Sequence, residues 1–179
     1  DLMAKTKSGY SASRDNYMAQ LTIERLTQKP TEGYTNAAMQ WGTDQEPFAR
    51  AAYETKTGQL VTEVGFIVHP EIDQAGASPD GLVGDEGMVE IKCPESKTMI
   101  ETLLSDKVPD KYFKQMQWQM ACAGRKWCDY VVFDPRMPEN LQLCVRRVER
   151  DDYIIDEIKA EINKFLAELE IQVGKLRSL

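Results

Sequence analysis

Residues 76–94, GASPDGLVGDEGMVEIKCP, carry two acids and a lysine at a spacing suited to metal-assisted phosphate chemistry. Asp80 stands in a Ser-Pro-Asp-Gly turn. The chain then runs through Leu82 and Val83, turns again at residues 84–87, and returns as Met88, Val89, Glu90, Ile91 and Lys92. These signals predict a β-hairpin with an acid on each arm. Side chains alternate across a strand, so Glu90 and Lys92 share one face and Val89 and Ile91 the other. Two carboxylates beside an ammonium suit Mg²⁺ or Mn²⁺, whose shell is completed by substrate phosphates and water. The lysine can orient or polarise a water, or hold charge on a phosphoryl oxygen. The same spacing also describes a surface hairpin in which Asp80 closes a turn and Glu90 and Lys92 form an ordinary solvent-facing pair.

The elements that must position this hairpin follow from periodicity and punctuation. Residues 1–5 read as the tail of a helix, and Ser13 as the cap of a helix over residues 14–26. A long helix is predicted from Asn36 to Thr57, closed by Gly58, with Gly42 as a local break or a point of close approach of another chain. Residues 60–69 read as one strand ahead of the hairpin. A short helix over residues 97–104 and a longer one from Pro109 to Ala123, ended by Gly124, come next. The apolar run CDYVVFD at residues 128–134 reads as a strand, with residues 141–148 as its partner. From Asp151 a final helix repeats Ile154, Ile155, Ile158, Ile162, Phe165, Leu166 and Leu169 at helical intervals. Helices, a strand-rich centre and a closing helix describe an α/β domain around a central mixed β-sheet flanked by helices.

Composition narrows the function classes. A net charge of -7 in 179 residues argues against coating nucleic acid with a basic surface, while leaving room for an enzyme that neutralises its own acids with metal. No apolar run approaches a membrane span, so no membrane partner is expected. Cys93, Cys122, Cys128 and Cys144 lack paired spacing and read as buried free thiols in a reducing cytosol, with iron-sulphur or zinc ligation as the lesser alternative. His69 is the only histidine, which excludes a histidine-rich metal site. Beside Pro70 it reads as a supporting residue. Glu46 is the natural third carboxylate, or else a solvated helix residue. Gln115 and Gln119 are four apart and share a helix face, whereas Gln117 points elsewhere. Met116, Trp118, Met120 and Trp127 read as core or subunit contact. Arg146, Arg147 and Arg150 form the densest basic patch, read as solvated surface or DNA-backbone contact; Lys5, Lys7 and Arg14 suggest an entrance patch.

Taken in order, Trp41-Gly42 with Glu46, Ser78-Pro79-Asp80-Gly81, Glu90-Ile91-Lys92-Cys93-Pro94, Tyr112 with Gln115 and Gln117, and Asp134-Pro135-Arg136-Met137 closely resemble the lambda exonuclease or YqaJ-like viral recombinase family. That family lies within the PD-(D/E)xK nucleases, and the resemblance covers most of the chain to about Leu169. It implies a restriction-endonuclease-like PD-(D/E)xK core and a single nuclease domain over residues 1–179, with an upstream segment near the DNA 5′ end expected to be missing. It further implies that Asp80, Glu90 and Ile91 form the metal set, that Lys92 positions or activates the attacking water, and that Glu46 completes the acidic cluster. By the same resemblance Gln117 is the motif glutamine near the site, with Tyr112 and Gln115 in support.

The activity implied is a Mg²⁺-dependent 5′→3′ exonuclease that digests linear double-stranded DNA to 5′-mononucleotides and leaves 3′ single-stranded tails. Two Mg²⁺ ions are expected per site, with Mn²⁺ as a substitute. A ring-shaped homotrimer, a single-strand annealing partner, and a phage or prophage origin with a cytoplasmic location in the bacterial host are implied alongside. The alternatives are a structure-specific endonuclease with the same metal chemistry and a non-catalytic DNA recombination scaffold.

Overall fold

The computed structural model describes residues 5–6 and 9–179, and the chain divides into two compact units. Thr35–Asp152 forms the unit that contains the predicted hairpin, and Asp1–Tyr34 with Tyr153–Leu179 forms the other.

In the first of these, strands β6 (Gly81–Val83) and β7 (Gly87–Lys92) pair antiparallel, with Gly81 opposite Val89. The turn between them needs Gly84, whose φ of +54° is left-handed. Gly81 serves a close approach: a Cβ there would lie 2.2 Å from Val61 Cγ1 on the neighbouring strand β3 (Val61–Thr62). β7 also pairs parallel with β8 (Trp127–Phe133), which pairs antiparallel with β9 (Leu143–Glu149). The sheet order is therefore β3-β6-β7-β8-β9, a mixed sheet. A parallel pair needs a crossover, supplied by α3 (Ser96–Leu104) and α4 (Asp110–Ala123).

The alternation expected of β7 sorts the two cores. Met88 packs with Met99, Met116, Met120, Tyr130 and Val132 under α3 and α4. Val89 and Ile91 pack on the opposite face with Ala49 and Tyr53 of α2 (Ala37–Thr57). Each fully buried aliphatic or aromatic side chain contributes roughly 1.5–3 kcal/mol. The Asn36 side chain accepts from Met39 N and Gly58 closes α2 at φ +71°, as its caps predict. Gly42 is not a break: the helix continues through it, and a Cβ there would meet none of the described residues. The irregular residue is Pro47, which removes one N–H from the helix interior.

The single strand read over residues 60–69 is two. β3 joins the main sheet, while β4 (Ile67–His69) pairs with β5 (Ile72–Ala77) in a separate two-stranded sheet. His69 is buried, stacks on Trp118 with ring centroids 4.8 Å apart, and accepts from Glu71 N at 3.1 Å, a supporting position.

The basic patch faces internal acceptors. Arg147 holds Asp129 through two 2.9 Å hydrogen bonds, Arg146 donates to the carbonyls of Thr102 and Ser105, and Arg150 donates to Met120 O and Asp152. All four cysteines are free thiols.

In the other unit, β1 (Lys5–Thr6) pairs with β2 (Gly9–Tyr10), so Lys5 lies in a strand rather than a helix tail. Residues 1–4 and Lys7 lie outside the described residues. Helices α1 (Ala12–Thr27) and α5 (Asp152–Arg177) share a core of Met18, Phe165, Leu169 and Val173. Arg14 does not serve an entrance patch: it is buried and bonded to Glu168 at 2.7 Å. Among the described residues no helix is long and apolar enough to cross a membrane.

Candidate active site

Glu90 has no solvent exposure, yet it carries a carboxylate on the apolar face beneath α4. Burying such a group is costly unless every lone pair is answered. Lys92, two residues along the same strand face, pairs with Oε1. From α4, Gln115 donates to Oε1 at 2.7 Å and Gln119 donates to Oε2 at 2.7 Å. Gln115 is exposed at the mouth and Gln119 lies one turn deeper, as residues four apart on one helix face must.

Asp80 enters from the other arm. One step beyond the β6–β7 register puts it opposite Glu90, and its Oδ2 accepts from Ile91 N at 2.6 Å. Burial, with Glu90 adding to it, raises Asp80 to about 7; Lys92 and the Ile91 hydrogen bond pull the other way, and Glu46 adds a smaller upward push. Burial by itself would lower Lys92, but Glu90 and Asp80 outweigh it and raise the ammonium above its usual value. Tyr112 stacks on Tyr130 at 5.5 Å and sets its ring centroid 5.4 Å from Lys92 Nζ.

Two other expected members make no hydrogen bond to this cluster. Glu46 is bonded to Arg50 at 2.8 Å, and Arg50 also pairs with Glu63. Its charge reaches Asp80 and Cys93, but its carboxylate is held by the guanidinium. Gln117 is fully buried and turned away: it donates to Glu149 O and accepts from Asp151 N, both at 2.8 Å. Helical geometry requires this, because a residue two positions from Gln115 faces another side. Ile91 has its side chain in the α2-facing core, so only its main chain borders the site.

In the sequence Gln119 is one of several helix amides able to bind a phosphate oxygen or water, or else an exposed helix residue, and its i,i+4 relation to Gln115 is the available signal for a place in the site. Sequence reasoning leaves Asp134-Pro135-Arg136 without a role. Asp134 is fully buried and accepts from Ser96 Oγ at 2.6 Å and from Arg136 Nε at 2.7 Å; Arg136 in turn donates to Pro94 O at 2.8 Å. This clamp fixes the chain just beyond Lys92. The neighbouring Cys93 thiol is pushed up to about 11, chiefly by burial, so it stays protonated at neutral pH.

Among the described residues no three His, Cys, Asp or Glu side chains converge closely enough to hold an ion by themselves. The donors present are the buried Glu90 and half-buried Asp80 carboxylates, under-neutralised by one lysine. That set fits Mg²⁺, which is bound through one or two carboxylates and completes its octahedron with water and substrate phosphates. It does not fit a closed structural zinc site.

The mixed sheet flanked by helices, with Asp80 and Glu-Ile-Lys on one hairpin, is a PD-(D/E)xK-like restriction-endonuclease fold. The chain belongs to the YqaJ-like viral recombinase domain family, which matches residues 3–126. An alkaline exonuclease from Laribacter hongkongensis, LHK-Exo, is 52% identical with a TM-score of 0.91, over 99% of this chain and 87% of its own. The structure of LHK-Exo in complex with dAMP is 55% identical with a TM-score of 0.90, over 94% and 85%. A phage related exonuclease from Haemophilus somnus shares the fold, with a TM-score of 0.71 at 15% identity over 97% and 90%. No curated protein sequence matches the chain.

Proposed function

We propose that this protein is a Mg²⁺-dependent 5′→3′ exonuclease that digests linear double-stranded DNA to 5′-mononucleotides and leaves 3′ single-stranded tails for recombination. The observation that carries this reading is the Asp80–Glu90 carboxylate pair with Lys92 on one hairpin, in a chain 52% identical to an alkaline exonuclease. The complex of that relative with dAMP supports a mononucleotide product.

In this reading Asp80 and Glu90 hold the ion, Ile91 offers only its main chain, and the protein's own groups do the positioning. Bound Mg²⁺, two ions at full occupancy with Mn²⁺ as a substitute, lowers the pKa of water and stabilises charge on the leaving oxygen. Lys92, held as an ammonium by its two acids, donates to the attacking water or to a phosphoryl oxygen. Water oxygen bonds to phosphorus as the bond from phosphorus to the 3′ oxygen breaks. The phosphate stays on the 5′ end of the remaining strand and the released nucleotide gains a 3′ hydroxyl. Gln115 and Tyr112 stand at the mouth, where an amide and a ring edge can steady the terminal nucleotide. Glu46 joins the acidic cluster if Arg50 releases it. Gln117 acts through the fold, by tying α4 to the chain around Glu149 and Asp151.

The same reading takes residues 1–179 as serving one nuclease activity, assembled as a homotrimeric ring, working with a single-strand annealing protein in the cytoplasm of a phage-carrying bacterium. The test of the chemistry is duplex cleavage with and without Mg²⁺ for wild type, Asp80→Asn and Lys92→Ala. Loss of cleavage in both variants with duplex binding retained is the expected result. Equal cleavage by wild type and both variants overturns the site.

A further inference from the structure

Gln119 does two things at once that no packing role requires. Its Nε2 donates to Glu90 Oε2 at 2.7 Å and lies 3.4 Å from the carbonyl of Ser78, in the turn that carries Asp80. A backbone carbonyl can only accept, so the Ser78 contact fixes which way the amide points. Its Oε1 is then left buried with no hydrogen-bond partner. The residue is 2% exposed between Met116 and Met120, each fully buried, where an apolar side chain would serve packing without an orphaned oxygen. The preceding residue repeats the tie: Trp118 Nε1 donates to Gly76 O at 3.1 Å, on the same approach to the Asp80 turn.

The other partners of Glu90 are free to leave. Gln115 is exposed and the Lys92 side chain is 28% exposed, so both can turn toward a phosphate at the mouth. Gln119 cannot, and it remains to hold the carboxylate. From this, and resting on the metal-site reading above, we infer that Gln119 is a positioning residue for the ion: its amide sets the spacing between the Glu90 carboxylate and the Asp80 turn.

Partners of this kind typically govern metal affinity by about 10–100-fold. The experiment titrates Mn²⁺ into the protein without DNA, reading free Mn²⁺ by electron paramagnetic resonance, for wild type, Gln119→Met and Gln119→Asn. Met keeps the volume and removes the donor; Asn keeps an amide too short to reach both acceptors, and carries the same readout if the Met variant does not fold. The expected result is Mn²⁺ affinity weakened about 10–100-fold in either folded variant. In cleavage, the Mn²⁺ concentration needed should rise while the rate at saturating metal recovers, which general damage to the core would not produce. Equal Mn²⁺ affinity in wild type and variants overturns the inference and leaves the nuclease reading standing. A wild type that binds no Mn²⁺ overturns the metal-site reading itself, and the inference with it.

Discussion

Asp80→Asn isolates the electrostatic strain that an ion would relieve. Burial and Glu90 raise Asp80 to about 7 in the folded protein, against 3.8 for an unperturbed aspartate. The folded state therefore holds this proton more tightly than the unfolded chain. That contribution is fully present below about pH 3.8 and is lost as pH rises through about 7. At about 1.4 kcal/mol per pH unit, the gap corresponds to about 4 kcal/mol. The substituted amide stays neutral at every pH and can still accept from Ile91 N through its oxygen, so the variant should lack this slope. In EDTA the two proteins should melt close together at pH 4.5. At pH 8 the variant should be the more stable, by up to roughly 8–16 °C for a chain of this size. Saturating Mg²⁺ should raise the wild type at pH 8 by mass action and leave the variant nearly unchanged. The assay is thermal unfolding by circular dichroism across pH 4.5–8 with EDTA or Mg²⁺. Parallel curves for the two proteins in EDTA would refute the reasoning.

Other perturbations separate chemistry from scaffold. Lys92→Ala should lower the cleavage rate about 10²–10⁴-fold with duplex affinity little changed, measured by single-turnover digestion and filter binding. Gln117→Leu should destabilise by about 1–3 kcal/mol in urea unfolding, because the buried amide loses its two hydrogen bonds, to Glu149 O and from Asp151 N, while Mn²⁺ affinity stays at the wild-type value. Tyr53→Phe should cost about 1.5–3 kcal/mol by the same measurement, since the 2.7 Å hydrogen bond to the buried Asp129 is lost while its Arg147 pair remains.

What could be read from the sequence divides along the range of the forces involved. The β6–β7 hairpin is legible because its turn glycines and two-residue alternation are local, and the same holds for α2 between Asn36 and Gly58. β5 is not, because IDQAGA has no alternating apolar face; its pairing to β4 and the Trp118 hydrogen bond to Gly76 define it. Residues 60–69 look like one strand because β-branched residues occur throughout, and only the choice of partners, β6 for one half and β5 for the other, separates them. The arginines at 146, 147 and 150 read as a patch because their acceptors, among them Asp129 and Thr102, lie far away in sequence. The glutamines are the instructive case. Motif resemblance points to Gln117 with Gln115 in support, while the i,i+4 rule groups Gln115 with Gln119, and the two that reach Glu90 are those on that shared helix face.

The most direct test of the central claim is digestion of a linear duplex labelled separately at its 5′ and 3′ ends, with Mg²⁺ and beside a covalently closed circle. Early release of 5′-labelled mononucleotide, late release of the 3′ label and an intact circle are the predicted result. Cutting of the circle, or no Mg²⁺-dependent cleavage of either substrate by folded protein, would contradict it.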